Sequence, residues 1–359
     1  ASSIHGAYWM EGAGGIFCEN EAMKWLVSLT GMPEGAFGVF TSGGTAANLS
    51  AMVTAREYWR QNKKNRNKKG CLITSVGAHS SIKAMAKVID ADVLLVETDD
   101  LLTAVALQEK IDSLDKSTME RVFAVVATGG TTNAGIVDDL EGIAAICKDL
   151  SLWFHVDAAY GGGALAADSV RHLFKGIEKA DSITIDPHKW LFSPYDCGAI
   201  IYKNPELAKT AHSQEGSYLD IIKDPGAHGF NPSDYQIQLT RRLRGLPLWY
   251  SLATHGTNKY KWAVERGIEL ANLAGELIAS RPEVELIRPP SLSCVLFRRI
   301  GWSEEDYKNW TYTNHHEGLA LVTPSKWKTK DSIETVARFC FINPDTSEDD
   351  IKIILDTMK

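Results

Sequence analysis

The sequence has 359 residues and a formal net charge of −7, with 44% hydrophobic and 23% charged residues. Such a chain can build its own core, and its mild acidity argues against a general nucleic-acid binder, which usually has a basic face. No apolar run is long enough to span a membrane, the first residues show no signal-peptide pattern, and six scattered cysteines without a C-x-x-C pair indicate neither zinc nor disulfides, so we expect a cytoplasmic protein.

Short apolar strands alternate with helices through the first two thirds of the chain. After a helix over 21–29, strands are predicted over 38–41, 72–74, 93–96, 122–127, 152–156, 182–185 and 199–202, with helices over 45–60, 80–89, 101–114 and 140–150. This alternation predicts an α/β fold with a mostly parallel seven-stranded sheet that is covered on both faces. The basic stretch 63–69 is short and lacks aromatic residues, so a solvated loop is favoured over nucleic-acid binding.

The pattern changes near Gly245. A long helical stretch over 246–280 is followed by strands over 284–287, 293–297 and 337–342 and by a closing helix over 348–358. This order predicts a large domain over residues 1–245 and a smaller α+β domain over 246–359.

Two reactive side chains follow predicted strands. Lys189 lies in Asp-Pro-His-Lys-Trp after the strand 182–185, where ligands bind in open α/β sheets, and a lysine there can form a Schiff base. Asp157 follows the strand 152–156, and a buried carboxylate needs a cationic partner such as a protonated pyridine nitrogen. The alternatives are a surface lysine and a helix-capping aspartate.

Two further strand ends suit a phosphate and an aromatic ring. Gly44 and Thr45 open a helix after Thr41-Ser42-Gly43, where backbone N–H groups and a hydroxyl could bind phosphate. His79, which also begins a helix, could stack on an aromatic cofactor. An ordinary glycine turn and a structural histidine are the alternatives, and the glycine turn over 129–132 leaves the same two interpretations open.

Together, these segments resemble the group II pyridoxal-phosphate (PLP) decarboxylases, the family of aromatic-amino-acid and glutamate decarboxylases. The similarity runs from about Glu21 to the C-terminus and is most specific at 186–190, in register with 155–160. It implies the PLP-dependent transferase fold of the aspartate-aminotransferase type, PLP as cofactor, and a homodimer with shared active sites. The family's N-terminal helical segment, which contributes to the substrate pocket, is expected to be missing.

The resemblance also implies a role for each matching residue. Lys189 would hold PLP as a Schiff base, with His188 beside it, while Asp157 would pair with the pyridine nitrogen. Gly44 and Thr45 would bind the phosphate. His79 and Ala159 would pack on the two faces of the ring, and Thr132 would lie near the substrate carboxylate or the ring. Tyr218, in a predicted lid over 214–229, would serve proton transfer, where related aldehyde synthases have phenylalanine.

Other positions are less clearly assigned by the resemblance. Many members have asparagine in place of Asp186, and that amide can reach the phosphate, which a carboxylate would repel. The arginines of 241–244, including Arg242, are expected to form structural ion pairs. Arg338 matches an arginine that meets a substrate carboxylate in some members of both the aromatic and the acidic branch.

The predicted function is therefore PLP-dependent decarboxylation of an L-amino acid to an amine and CO₂. An aromatic substrate is favoured because 152–160 and 241–249 are most similar to that branch. The alternatives are a glutamate, aspartate or diamino-acid decarboxylase, a PLP-dependent aldehyde synthase, and a non-catalytic PLP-fold binding protein.

Overall fold

A seven-stranded sheet forms the centre of the computed structural model, which describes residues 4–98, 101–214, 230–328 and 333–359. Its strands are β1 Phe37–Thr41, β2 Cys71–Ser75, β3 Asp92–Val96, β4 Val122–Thr128, β5 Trp153–Asp157, β6 Ser182–Ile185 and β7 Gly198–Tyr202. Their order is β1-β7-β6-β5-β4-β2-β3, and β7 runs antiparallel to both of its neighbours whereas the other pairs are parallel. The predicted mostly parallel seven-stranded sheet is confirmed.

Helices cover both faces of this sheet. They are α1 Trp9–Thr30, α2 Gly44–Arg60, α3 Ser80–Val88, α4 Ala104–Asp112, α5 Lys116–Met119, α6 Leu140–Asp149, α7 Pro205–His212, α8 Leu246–His255 and α9 Thr257–Ala279. Apolar side chains of α1, α6 and α8 pack into one core, and those of α2, α3 and α7 pack into another on the opposite face. Because both faces are buried, the strands read as continuous apolar runs in the sequence.

A second, antiparallel sheet lies in the C-terminal part of the chain. It comprises β8 Val284–Leu286, β9 Cys294–Arg299, β10 Ser325–Lys328 and β11 Ile333–Cys340 in the order β10-β11-β9-β8, with the helices α10 Glu304–His316 and α11 Glu348–Asp356. Helix α9 connects the cores, because Val264 packs into the first and Leu270 into that of the second sheet. The division into domains over 1–245 and 246–359 stays a prediction.

Several element boundaries differ from the prediction for local reasons. Helix α1 begins at Trp9, well before residue 21, and the predicted helix over 246–280 is broken at Gly256, which has a φ of +73°. Helix α10 was not predicted because few of its residues are buried, although Ser303 and Asp306 form a capping box at its start. None of the helices in the described parts of the chain combines the length and the apolar character needed to cross a membrane.

Candidate active site

The carboxyl ends of β4, β5 and β6 and the start of α2 surround a cavity of about 290 Å³. Eight of the nine predicted site residues line it, namely Gly44, Thr45, His79, Thr132, Asp157, Ala159, His188 and Lys189. Tyr218, the ninth, lies outside the described residues. Segments that are up to 145 positions apart in the sequence therefore meet at one place, where parallel strands end.

Asp157 ends β5 and is buried at the cavity wall. Its Oδ1 accepts a hydrogen bond from the Ala159 backbone N–H at 3.1 Å, and its Oδ2 accepts one from Asn48 Nδ2 at 2.8 Å. Burial raises the pKa of Asp157, while these hydrogen bonds and the charge of Lys189 oppose that rise. Because a carboxylate offers about four acceptor positions, it can still bind a cation in the cavity.

Lys189 forms an ion pair with the carboxylate of Asp186. Its Nζ is 3.0 Å from Asp186 Oδ2, and His188 Nε2 lies 3.5 Å from the same oxygen. Burial raises the pKa of Asp186, but hydrogen bonding and charge from His188 and Lys189 outweigh that effect and lower the pKa overall. The carboxylate that departs from the family pattern is thus neutralised by its own neighbours in the sequence.

The tautomer of His188 follows from its contacts. The backbone N–H of Cys197 donates to His188 Nδ1 at 2.9 Å, so in the neutral ring the proton resides on Nε2 and faces Asp186. Asp186 Oδ1 is buried and has no hydrogen-bond partner among the described residues. The aspartate is therefore held through Oδ2 alone.

The turn before α2 leaves room for an anion close to the backbone. Gly43 has a φ of +148°, and the start of the helix has no side-chain cap. A Cβ atom on Gly44 would lie 2.9 Å from Asp186 Oδ2 and 3.0 Å from Ala159 Cβ. The free N–H groups of a 17-residue helix and the exposed hydroxyl of Thr45 suit a phosphate at this position.

His79 precedes α3 and is fixed by Ser81. Its Nδ1 accepts from the Ser81 backbone N–H at 3.2 Å and lies 2.9 Å from Ser81 Oγ. The ring is exposed at the cavity, which Ala159 also lines. Both side chains are therefore available to contact a ring in the cavity.

Arg241, Arg242 and Arg244 form ion pairs, as was expected for this stretch. Arg241 forms a fully buried ion pair with Glu19 at 2.8 Å, whereas Arg242 and Arg244 both pair with Asp196. Arg338 donates to the backbone carbonyl of Thr132 and so lies at the edge of the cavity.

The residues of the cavity fit PLP. A buried aspartate with unused acceptor capacity suits a protonated ring nitrogen, a lysine is available for covalent attachment, and the uncapped start of α2 offers backbone N–H groups to a phosphate. In the parts of the chain that the structure describes, no group of three or more His, Cys, Asp or Glu residues is arranged to hold a metal ion.

The sequence prediction missed Asn48, Ser81 and Tyr160, which also line the cavity. Asn48 carried a usable signal, because it is a polar residue on the buried alanine-rich face of α2. Tyr160 stacks on Trp190 with ring centroids 5.3 Å apart, which fixes the cavity wall on that side.

Known proteins resemble this chain in both sequence and structure. An aromatic-L-amino-acid decarboxylase of Bacillus atrophaeus is 32% identical over 98% of the chain and 74% of its own length. An L-2,4-diaminobutyrate decarboxylase of Acinetobacter baumannii is 31% identical over 81% of the chain, which spans 61% of that relative. The structure of Oryza sativa TDC with PLP and tryptamine superposes with a TM-score of 0.89 at 22% identity, covering 99% of this chain and 78% of that one.

The family model of the pyridoxal-dependent decarboxylase conserved domain matches residues 6–300. The predicted fold and the predicted cofactor, PLP, are confirmed by these matches. The chain therefore belongs to the pyridoxal-dependent decarboxylase family of PLP-dependent carboxy-lyases, as its sequence predicts.

Proposed function

We propose that this chain decarboxylates an L-amino acid, with an aromatic amino acid as the substrate. The observation that carries the proposal is the cavity in which Lys189, Asp157 and His79 meet beside the Gly44 turn. These residues would hold PLP in a catalytic and in a non-catalytic protein alike, so turnover of a substrate is what separates the two.

The position of each residue in the cavity supports a proposed role for it. Bound PLP supplies an electron sink for the bond that breaks at the substrate Cα. Lys189 would hold the cofactor covalently through its amine, and the negative charge of Asp157 would favour the electron sink. His79 and Ala159 would contact the two faces of the ring, and the N-terminus of α2 would bind the phosphate through Gly44 and Thr45.

The substrate side of the cavity is proposed from Thr132 and Arg338. The guanidinium of Arg338 is held at the cavity edge by the Thr132 carbonyl, where it can attract a carboxylate. The proton that replaces CO₂ at Cα is assigned to Tyr218 on the strength of the family resemblance. A tyrosine at this position favours an amine product over an aldehyde.

The aromatic substrate is supported by the relative from Bacillus atrophaeus, which matches nearly the whole chain. Relatives named for L-2,4-diaminobutyrate are 31% and 32% identical but match 81% of the chain. We also propose a homodimer with shared active sites, as the resemblance implies, which light scattering on the purified protein would test.

An absorbance scan followed by a substrate panel tests the proposal. Purified protein is titrated with PLP, and aromatic, acidic and diamino L-amino acids are then supplied while CO₂, amine, aldehyde and peroxide are measured. We expect a visible band from covalent PLP and CO₂ with amine from an aromatic substrate. CO₂ from an acidic or diamino substrate would correct the substrate alone, aldehyde with peroxide would indicate an aldehyde synthase, and a band without turnover would overturn the catalytic proposal.

A further inference from the structure

Alternate residues of β5 carry polar atoms although the whole strand is buried. Trp153, His155 and Asp157 lie at every second position and point toward the α2 side of the sheet, whereas Phe154 and Val156 pack into the core on the other side. His155 has no exposed surface. Because buried polar groups are normally hydrogen-bonded, the polar atoms on this face of β5 are expected to have hydrogen-bond partners.

Four hydrogen bonds join these groups in one continuous line. Trp153 Nε1 donates to Ser182 Oγ at 2.8 Å, and Ser182 Oγ lies 2.8 Å from His155 Nδ1, its partner across the β5–β6 pairing. His155 Nε2 lies 2.9 Å from Asn48 Oδ1, and Asn48 Nδ2 donates to Asp157 Oδ2 at 2.8 Å. We call these residues the β5 relay; it runs from an indole in the core to the carboxylate at the cavity.

The direction of each hydrogen bond follows from chemistry. An indole N–H can only donate, so Ser182 accepts from Trp153 and its own hydroxyl is free to donate to His155 Nδ1. Burial lowers the pKa of His155 to about 3, so the ring is neutral and its one proton resides on Nε2, which donates to Asn48. The amide of Asn48 then directs an N–H toward Asp157, and all four bonds point the same way.

The opposite direction would require a protonated Asp157. Asn48 would then turn its amide around, His155 would donate to Ser182, and the Ser182 hydroxyl hydrogen would have no acceptor within the relay. Leaving a buried donor without an acceptor is unfavourable. The relay therefore favours the ionised carboxylate, and bonds that point one way strengthen one another in a low-dielectric interior.

We propose that Asn48 and His155 are positioning residues, which hold Asp157 as a carboxylate directed at the cavity and ready for a cationic ring nitrogen. The inference rests on the proposed function, because that cation is the protonated nitrogen of bound PLP. Asn48 Nδ2 also lies 3.4 Å from Ser81 Oγ, and Ser81 contacts His79. One amide thus connects the carboxylate with the residue proposed to stack on the ring.

The relay opposes the effect of burial, which raises the pKa of Asp157. If the relay were broken, Asp157 would take up a proton more readily and would bind the cationic ring nitrogen less strongly. The titratable side chains that share the cavity with Asp157 are those of His79, Tyr160, Asp186, His188 and Lys189. The charge of Lys189 lowers the pKa of Asp157 and that of Asp186 raises it, and the hydrogen bond from Asn48 acts in the same direction as Lys189.

The test replaces His155, at the centre of the relay, and measures properties of bound PLP instead of turnover. His155→Leu removes both ring nitrogens at similar size, His155→Gln keeps a group that can donate to Asn48, and Trp153→Phe removes only the distant indole donor. For each protein the dissociation constant of PLP is measured by absorbance titration. The protonation of bound PLP, isotopically labelled at its ring nitrogen, is followed by NMR against pH.

We expect His155→Leu to weaken PLP binding by about tenfold, since Asn48 loses the donor that orients its amide and its hydrogen bond to the charged Asp157 is no longer held in place. The ring nitrogen of PLP bound to this variant should lose its proton at a lower pH than that of PLP bound to the wild-type protein. His155→Gln should recover most of both properties, and Trp153→Phe should change them least. Unchanged affinity and unchanged ring protonation in His155→Leu would overturn the proposal, as would equal losses in His155→Gln and His155→Leu.

Thermal unfolding of the PLP-free proteins separates a folding defect from a relay defect. If His155→Leu does not fold, Asn48→Leu and Ser182→Ala interrupt the same line at other positions and carry the same expectations. A wild-type protein that forms no covalent PLP band would overturn the proposed function and the relay together. A wild-type protein that binds PLP and decarboxylates, beside an unaffected His155→Leu, would overturn the relay alone.

Discussion

Replacing Gly44 by alanine tests whether the turn before α2 binds the phosphate of PLP. The added Cβ would lie 2.9 Å from Asp186 Oδ2 and 3.0 Å from Ala159 Cβ, closer than the 3.5–4.0 Å or so at which carbon atoms attract. Ala159 Cβ is fixed to the backbone, and Asp186 is held by Lys189 at 3.0 Å. Something must therefore move, and overpacking of this kind costs about 1–3 kcal/mol.

The cost should fall most heavily on the PLP-bound protein. Without PLP the turn can shift into the empty part of the cavity, whereas bound phosphate would occupy that space. If about 1.4 kcal/mol of the strain remains in the bound state, the dissociation constant of PLP rises about tenfold. Absorbance titration measures this constant, and urea denaturation with and without PLP measures the free energy of unfolding.

Gly14→Ala is the matched control. Gly14 is exposed in α1, and a Cβ there would meet nothing within 4 Å. Alanine in a helix interior is about 0.5–1 kcal/mol more favourable than glycine, so this variant should gain stability and bind PLP unchanged. A folded Gly44→Ala protein with wild-type affinity for PLP would refute the assignment of Gly44 to the phosphate.

Three more variants, one of them with a matched control, test other predictions. Lys189→Ala should abolish the absorption band of covalent PLP, and a retained band would mean that another amine attaches the cofactor. Tyr218→Phe should divert product from amine to aldehyde, whereas an unchanged amine yield, measured by chromatography, would remove Tyr218 from the mechanism. Glu19→Gln leaves the buried Arg241 uncompensated and should lower the free energy of unfolding by about 3–5 kcal/mol. The control Glu21→Gln breaks an exposed pair with Lys24 on the same helix and should cost less than about 1 kcal/mol. Equal losses for the two variants in urea denaturation would contradict the argument from burial.

Much of the large sheet could be predicted because its strands are short, apolar and buried on both faces. The strand predicted over 182–185 has the bounds of β6, and the strand predicted over 122–127 extends by one residue to Thr128. The elements that were missed lack this signal. Strand β10 alternates half-buried and exposed residues, and α7 begins at Pro205 after the Asn204 cap, with Ala208 and His212 as its buried residues.

The candidate site was predictable where a residue has a reactive side chain at a strand end. Lys189, Asp157 and His79 meet that criterion, and all three line the cavity. The position of Asp186 could not be predicted, because its charge alone suggested repulsion of a phosphate. Its ion pair with Lys189 depends on the turn of chain between residues 186 and 189, which brings side chains three positions apart to one side.

The β5 relay shows what a buried strand can contain beyond its apolar pattern. A strand that is buried on both faces still has two sets of alternating residues, and in β5 the set of Phe154 and Val156 is entirely apolar while the set of Trp153, His155 and Asp157 is not. Polar atoms on a fully buried face must find partners on the helix that covers it, and α2 offers Asn48 among alanines. A donor-only indole at one end and an acceptor-only carboxylate at the other then give the line a direction. Polar residues at every second position of a buried parallel strand therefore indicate two things when the last of them lies at the carboxyl end. That last residue is a candidate site residue, and the others are candidates for the residues that position it.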